Sequence, residues 1–481
     1  MRLSEVLKNV NTLNKYADAD IAAITDDSRK VSKGSVFVCI EGRNFDGHSA
    51  ASAAARAGAA AVIAQKETGA PGQILVEDTR EAYSLMCAAF HGNPADKLKI
   101  IGVTGTNGKT TTCFLLKEIF ENNGLKTGLL GTVKNMIGDR ELPASLTTPD
   151  PFQLHALFKE MVDDGCAFCV MEVSSQALDQ KRVAGLRFES AVFTNLTRDH
   201  LDYHGDFEKY AAAKRILFEN TNRAVVNIDD AAAGSMTKGL DCPLTTFSIK
   251  IDASDYTAKN INQKSAGVEY ELVSKGVIGR VHFRVPGTFS VYNTMGAAAC
   301  AVEAGVPFKT AIEALGKSKG VPGRMEVLET GTDFTVLIDY AHSPDGLENV
   351  LNALKEASAG SIITVFGCGG DRDKTKRPLM GEIASRLSDV TIVTSDNPRS
   401  EDPSAIIAEI LEGTKKAKKR VVAEPDRTRA IELALKRAKE GDIVLLAGKG
   451  HETYQILGTG KIHYDEREVV AEILEKMNRG S

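Results

Sequence analysis

The stretch Leu98-Lys99-Ile100-Ile101-Gly102-Val103-Thr104-Gly105-Thr106-Asn107-Gly108-Lys109-Thr110-Thr111 carries the strongest structural signal in the chain. Leu98 to Val103 has the apolar run of a buried strand, and a glycine-rich turn follows. Beyond the turn, Leu115, Leu116, Ile119 and Phe120 recur at helical spacing, and Gly124 stands where that helix should end. A strand, a glycine-rich turn and a helix together make a phosphate cradle. Glycines let backbone N–H groups face phosphate oxygens, and the helix N-terminus adds a positive dipole end. Gly105, Thr106, Asn107, Gly108, Lys109, Thr110 and Thr111 are therefore the expected nucleotide-binding loop. In it Lys109 can neutralise the β- and γ-phosphates, and Thr110 or Thr111 can reach Mg²⁺. Val103 stands five residues before Gly108, so the spacing is not the common GxxxxGK; it is a shorter loop that starts at Gly105. A glycine-rich turn with a chance lysine is the bland alternative, and the flanking strand and helix speak against it.

Outward from this loop the chain reads as α/β throughout. Phe168 to Val173 and Ala191 to Thr194 are further buried-strand candidates, and from about Thr245 to Val285 apolar and polar residues alternate as in antiparallel strands. Upstream, Val36 to Ile40 reads as a strand and Ala50 to Ala60 as a helix, and His91-Gly92-Asn93-Pro94 is a linker signal. Downstream, Pro322-Gly323 breaks the chain again. Strands at Ser361–Phe366, Val390–Thr394, Val421-Val422 and Asp442–Ala447 then alternate with helices at Pro378–Leu387, Pro403–Leu411 and Arg427–Lys439. That rhythm predicts a parallel sheet covered on both faces, with ligands at the carboxyl ends of its strands. The loops after Phe366, Thr394 and Ala447 are thus candidate site loops. Three domains are expected, at residues 1–95, 96–328 and 329–481.

Composition narrows the function classes. Of 481 residues, 43% are hydrophobic and 26% charged, the mix of a globular protein. The formal charge of −5 lacks the basic excess of a nucleic-acid binder. Cys39, Cys87, Cys113, Cys166, Cys169, Cys242, Cys300 and Cys368 are scattered and read as buried free thiols of a reducing compartment. Cys166 and Cys169 form one CxxC with no second pair at zinc spacing. No signal peptide and no run of about 18 apolar residues is visible, so a cytoplasmic protein without membrane insertion is expected.

The short phosphate loop resembles that of the Mur ligases and their relative folylpolyglutamate synthetase. Other motifs follow in the family's order: Glu172-Val173-Ser174-Ser175-Gln176-Ala177-Leu178, Thr194-Asn195-Leu196 with Asp199-His200-Leu201-Asp202, and Tyr210 through Lys214 to Phe218. Pro286-Gly287 with Tyr292-Asn293, Pro322-Gly323-Arg324-Met325-Glu326, and Asp339-Tyr340-Ala341-His342-Ser343-Pro344-Asp345 complete the set. The resemblance implies a three-domain Mur ligase architecture: a UDP-binding α/β N-terminal domain, a central P-loop ATPase-like domain and a Rossmann-like C-terminal domain. It also implies an ATP-dependent ligase of peptidoglycan precursor synthesis, working through an acyl phosphate and releasing ADP and phosphate. A monomer is expected.

The resemblance assigns roles residue by residue. Lys109, Glu172, His200 and Lys214 match the catalytic set, with Thr110, Glu172, His200 and Lys214 at the magnesium site. Lys214 matches the lysine that CO₂ carbamylates, which would turn a cation into an oxygen donor; on its pattern alone it reads as a solvated or snorkelling lysine. His200 read alone is an ordinary polar loop residue. Asn293, Arg324 and Asp339 match nucleotide contacts; read alone they are a helix-capping Asn, a surface Arg and a strand-end Asp. Ser28, Arg43 and Asn44 fall where uridine diphosphate is held, and Thr147, Thr148, Ser174 and Arg182 match contacts to the muramoyl peptide. Two departures stand out: Leu146 where the family has Asn, and Gln176 where it has His.

Within the family, Gly367-Cys368-Gly369-Gly370-Asp371-Arg372-Asp373 and Asp396-Asn397-Pro398-Arg399 resemble the branch that adds meso-diaminopimelate to UDP-N-acetylmuramoyl-L-alanyl-D-glutamate. Diaminopimelate differs from lysine by one distal carboxylate, and the Arg399 fork suits it. Asn397 can add a hydrogen bond and Asp396 can accept from the distal ammonium. Arg372, Gly448 and Glu452 match further amino-acid contacts. The bland alternative is that Arg399 caps its loop against Glu401 or Asp402. A lysine-adding ligase, a folylpolyglutamate synthetase-like ligase, a P-loop kinase or NTPase, and a nucleotide-binding partner without catalysis are the rival functions.

Overall fold

A computed structural model describes residues 1–42, 45–199 and 201–479. Arg43, Asn44 and His200 of the expected site lie outside the described residues. The chain forms two compact units, Met1–Asp255 with Gly296–Thr310 and Tyr256–Met295 with Ala311–Ser481.

In the first unit a small parallel sheet runs in the order Ala23–Thr25, Ser35–Val38, Ala61–Ala64, Gln73–Leu75. Its residues alternate between two cores. Val36, Val38 and Ile63 pack with Tyr83 and Met86 of the helix Thr79–Phe90, while Phe37, Cys39, Val62 and Ala64 pack with Ala51 and Ala54. Burial on both faces explains why these strands read as unbroken apolar runs. The helix expected over Ala50–Ala60 is shorter, Ala51–Arg56. Gly58 turns at φ +98 and the Ala60 N–H donates to Ser35 O at 2.8 Å, so alanines with good helix propensity are spent on the sheet.

The unit's larger sheet runs Leu244–Ser248, Ala224–Asn227, Ser190–Phe193, Lys99–Thr104, Phe168–Glu172, Thr127–Leu130, all parallel, then Asn135–Ile137 and Arg140–Leu142 antiparallel. Lys99–Thr104 is central, so the loops after Thr104, Glu172 and Phe193 open at one end. The alternating region from Thr245 is corrected in part. Leu244–Ser248 follows the helix Ala233–Thr237 and joins the parallel sheet; the antiparallel strands begin only at Tyr256.

The second unit contains those antiparallel strands, Tyr256–Lys264, Gly267–Ser274 and Val277–Phe283. Its main sheet runs Glu326–Leu328, Thr335–Asp339, Ile443–Ala447, Ile362–Phe366, Val390–Val393, Arg420–Ala423, antiparallel only at the first pair. Ile443–Ala447 inserts between Thr335–Asp339 and Ile362–Phe366, two strands that are consecutive in the chain, which makes a switch point. The helices Lys376–Leu387 and Pro403–Gly413 meet through glycines. A Cβ on Gly381 would fall 2.1 Å from Ile410 O, and one on Gly413 would fall 1.7 Å from Pro378 O.

All eight cysteines are free, seven of them buried and Cys242 half-buried. No helix among the described residues is long and apolar enough to cross a membrane. The helix contact gives a test: Gly381→Ala should destabilise the second unit by about 1–3 kcal/mol through overpacking. A lowered denaturant midpoint with faster hydrogen exchange in these two helices is the expected result; an unchanged midpoint would mean they separate at no cost.

Candidate functional site

The phosphate loop is braced from behind. Gly105 has φ +152, and a Cβ there would lie 1.9 Å from Thr194 Oγ1. Thr194 Oγ1 donates to Asn107 O at 2.6 Å, the Asn107 N–H donates to Asn195 Oδ1 at 3.0 Å, and the Thr106 N–H donates to Asn195 O at 2.9 Å. Thr106 Oγ1 accepts from the Thr197 N–H at 2.9 Å and shares a hydrogen bond with the Tyr210 hydroxyl at 3.1 Å. Gly108, at φ +84, starts the helix Lys109–Asn122, and Thr110 is buried in its first turn beside half-buried Thr111. The loop's amides are thus held before any phosphate arrives.

Two lysines meet at one oxygen. Lys109 Nζ donates to Gly105 O at 2.8 Å and to Thr106 O at 2.7 Å, and Lys214 Nζ donates to the same Gly105 O at 2.8 Å. Lys214 is 1% exposed, with its Nζ 4.6 Å from the centre of the Tyr210 ring. Burial, and then the charge of Lys109, pull its pKa well below the ordinary lysine value, against the pull of Asp199. The solvated reading of Lys214 is therefore corrected. On the helix Phe207–Glu219 it shares the buried face with Tyr210, Ala213 and Leu217.

Glu172 ends the strand beside the loop and is 1% exposed. Its Oε1 accepts from the Thr132 N–H at 2.8 Å and its Oε2 from Thr132 Oγ1 at 3.1 Å. A Cβ on Gly131 would stand 2.4 Å from Glu172 Oε1. Thr132 Oγ1 also shares a hydrogen bond with Thr147 Oγ1 at 3.0 Å. Thr148 Oγ1 donates to Glu172 O at 2.9 Å and accepts from the Ser174 N–H at 3.1 Å, and Arg182 Nη1 donates to Thr148 O at 3.0 Å. Glu172, Thr147, Thr148, Ser174 and Arg182 therefore form one connected patch. Thr132 and Gln180 belong to it, the latter accepting from Arg182 Nη2 at 2.7 Å; nothing in their local sequence marked them. Of the two departures, Leu146 is exposed and Gln176 half-buried.

Ser28 opens a short 3₁₀ turn, Ser28–Lys30, capped by Asp27, which accepts from the Arg29 N–H at 3.0 Å. The Arg29 guanidinium lowers the Asp27 carboxyl to about 2. Asp46 shares a 2.6 Å hydrogen bond with His48 Nδ1 and accepts from Lys66 Nζ at 2.8 Å.

In the second unit Asp339 is buried. It accepts from the Met325 N–H at 2.7 Å and the Ala341 N–H at 2.8 Å, yet burial raises its pKa despite the nearby charge of Arg324. The Arg324 guanidinium lies 5.0 Å from the centre of the Tyr340 ring, and its Nε is buried without a partner. Arg324 is thus no surface arginine. The His451 ring lies 4.9 Å from the same tyrosine ring; burial first, then Arg324 and Arg467, pull its pKa down to about 4. Asn293 is buried on the separate helix Thr288–Glu303.

The three expected site loops of this unit converge. Asp396 and Asn397 are buried, and a Cβ on Gly448, which has φ +112, would meet Asp396 Oδ2 at 2.6 Å. Asn397 Nδ2 donates to Glu452 Oε2 at 2.8 Å. Arg399 Nη1 donates to Gly370 O at 2.8 Å, where a Cβ on Gly369 would stand 2.8 Å from it. The acids offered as its alternative partners are engaged elsewhere. Glu401 takes two 2.9 Å hydrogen bonds from Arg377, and Asp402 caps the helix Pro403–Gly413. Arg372 is exposed, with its Cγ 3.8 Å from where a Gly369 Cβ would lie.

Among the described residues no group of three or more His, Cys, Asp or Glu could hold a metal. Glu172 and Thr110 offer the hard oxygens that Mg²⁺ takes, whereas Lys214 as an ammonium would repel it. The set fits once Lys214 carries an anionic oxygen.

Comparison with known proteins matches three family models along the chain. These are Mur ligase family, catalytic domain, at residues 20–91; Mur ligase middle domain at 103–301; and Mur ligase, glutamate ligase domain, at 323–450. A UDP-N-acetylmuramoyl-L-alanyl-D-glutamate–2,6-diaminopimelate ligase of Clostridium acetobutylicum is 45% identical over 484 residues, covering 99% of this chain and 100% of the relative. A solved structure of a ligase of that name superposes with a TM-score of 0.73 at 35% identity, over 95% of each chain. A MurF ligase from Thermotoga maritima in complex with ADP shares the fold, with a TM-score of 0.59 at 21% identity over 95% of this chain and 98% of that one.

The brace behind the loop is testable. Gly105→Ala should weaken ADP binding by more than about tenfold, or 1.4 kcal/mol, because Thr194 blocks the added methyl. Titration calorimetry checks it; wild-type affinity would show that the loop tolerates the shift.

Proposed function

The chain belongs to the Mur ligase family, and we propose that it joins meso-diaminopimelate to UDP-N-acetylmuramoyl-L-alanyl-D-glutamate at the expense of ATP. It is an ATP-dependent acid–amino-acid ligase of peptidoglycan precursor synthesis. The observation that carries the substrate choice is the placement of Arg399. It is anchored through Nη1 at the carboxyl end of the sheet, beside buried Asp396 and Asn397, while Glu401 and Asp402 are taken up by Arg377 and by the helix Pro403–Gly413.

The chemistry has two displacements. The substrate carboxylate attacks the γ-phosphorus, the bond to the β-phosphate oxygen breaks, and ADP leaves from an acyl phosphate. The diaminopimelate amine then attacks the acyl carbon, the amine proton departs, and phosphate leaves with the former carboxylate oxygen. Lys109 and the amides of Gly105 to Thr111 hold the γ-phosphoryl group while charge moves off it, a task of positioning and electrostatics. Mg²⁺, when bound, neutralises phosphate charge; Thr110, Glu172, His200 and carbamylated Lys214 would hold it. Thr132 keeps both Glu172 oxygens oriented.

Carbamylation requires a neutral amine to attack CO₂, giving the carbamate anion and one proton. Burial and the charge of Lys109 push Lys214 toward that form, against the pull of Asp199. Ser28, Arg43 and Asn44 hold uridine diphosphate in this reading, and Thr147, Thr148, Ser174 and Arg182 the muramoyl peptide. Asn293, Arg324 and Asp339 contact the nucleotide, and Arg372, Asp396, Asn397, Arg399, Gly448 and Glu452 the amino acid. These roles divide the chain at about residues 95 and 328. The enzyme acts as a cytoplasmic monomer on small molecules, without nucleic acid.

The test is ADP release with ATP, Mg²⁺ and the UDP-muramoyl dipeptide, comparing meso-diaminopimelate with L-lysine. Release with diaminopimelate alone is expected. Release with lysine instead would overturn the specificity, and release with neither would overturn the ligase reading. Arg399→Ala should lose about 2–5 kcal/mol of diaminopimelate recognition in kcat/KM, with the KM for ATP little changed; an unchanged preference over lysine would contradict the role given to Arg399. Lys214→Ala should abolish turnover, with partial recovery in excess bicarbonate or chloride. Full activity without those anions would remove the carbamate from the account.

A further inference from the structure

The turn Gly448-Lys449-Gly450 drives a lysine inward. Gly448 has φ +112 and Gly450 φ +56, and a Cβ on Gly450 would stand 2.6 Å from Tyr340 Cβ, so the backbone on both sides of Lys449 takes a course suited to glycine. The Lys449 side chain is 0% exposed. Its Nζ lies 3.2 Å from Glu452 Oε2 and donates to Asn397 Oδ1 at 3.4 Å. The rings of Tyr454 and Tyr464 flank it, their centres 5.8 and 5.9 Å from Nζ, within range of a cation–π attraction. As a lone lysine between glycines it carries no sequence signal of this role, since lysines usually keep their ammonium in water.

The geometry settles which way the Asn397 amide faces. Asn397 Oδ1 accepts from the Ile456 N–H at 2.9 Å as well as from Lys449. Two donors at that atom leave Nδ2 to face Glu452 Oε2, at 2.8 Å. Glu452 Oε2 therefore receives both Asn397 and Lys449, which leaves Oε1 to a ligand ammonium. A closed triangle of ammonium, amide and carboxylate sits under the amino-acid loops. Without the ammonium, the Asn397 amide loses one reason for its orientation and the Glu452 carboxylate loses its nearest positive charge.

We propose that Lys449 is a positioning residue for the incoming amino acid, fixing the Asn397 amide and the Glu452 carboxylate and through them the affinity for meso-diaminopimelate. It rests on the ligase reading of this site. The experiment is steady-state ADP release by the full chain carrying Lys449→Met, with each substrate varied in turn. The KM for diaminopimelate should rise by about tenfold or more, as when a partner behind a ligand-binding group is removed, while the KM for ATP and for the UDP-muramoyl dipeptide stay within about twofold. KM does not depend on the fraction of folded enzyme, so a general loss of stability would not produce this split. In a Glu452→Gln background, the added Lys449→Met change should shift the diaminopimelate KM by less than about threefold, because the two act as a unit. Where Lys449→Met does not fold, Lys449→Gln, which keeps a donor toward Glu452, should raise the same KM by a smaller factor. Diaminopimelate-dependent release with an unchanged KM overturns the role of Lys449 alone. Wild-type release that ignores diaminopimelate overturns the ligase reading and this inference with it.

Discussion

The carbonyl oxygen of Gly105 accepts from both Lys109 and Lys214, and the glycine-rich loop of the first unit is organised around that coincidence. Two ammonium groups on one oxygen, one of them 1% exposed, repel each other in a poorly screened place. Burial, and then the charge of Lys109, disfavour the charged form of Lys214. The same oxygen can serve both lysines because the Gly105 peptide cannot move. Thr194 and Asn195 close it from behind, and the central strand Lys99–Thr104 holds it from below. Two copies of one side chain thus stand in unequal surroundings at this loop, and Lys214 is the one whose charge burial disfavours.

The second unit uses the opposite tactic. There glycines, rather than opposed charges, set the site. Gly448, Gly367 and Gly369 leave space that Asp396, the backbone of Thr394 and the guanidinium of Arg399 occupy. Arg377, fully buried, takes up Glu401, so that this acid does not pair with Arg399. On the proposed reading this fork would tell diaminopimelate from lysine, because lysine lacks the distal carboxylate that pairs with it.

Much of this was legible because it is local. The phosphate loop lies within seven residues, and the strand–helix rhythm of the last part set the parallel sheet and the three loops at its carboxyl ends. What escaped depends on distance along the chain. Lys214 lies 109 residues from its acceptor, and its helix, rich in alanine, has no strong apolar stripe to show which face is buried. Thr132 reaches Glu172 across 40 residues, and Lys449 reaches Asn397 across 52. Leu244–Ser248 looked antiparallel because alternation does not report strand direction. Local propensity also misjudged Ala50–Ala60, where sheet pairing of Ala60 outweighs the preference of alanine for helix.

The most direct test of the central claim follows an oxygen atom. The UDP-muramoyl dipeptide is labelled with ¹⁸O in both carboxylates of its D-glutamate and incubated with the protein, ATP, Mg²⁺ and meso-diaminopimelate. Mass spectrometry then reads both products. The account predicts one labelled oxygen in the released phosphate for each amide bond formed, and a product heavier by one diaminopimelate residue. Unlabelled phosphate would mean that no acyl phosphate forms, and that this loop hydrolyses ATP without activating a carboxylate.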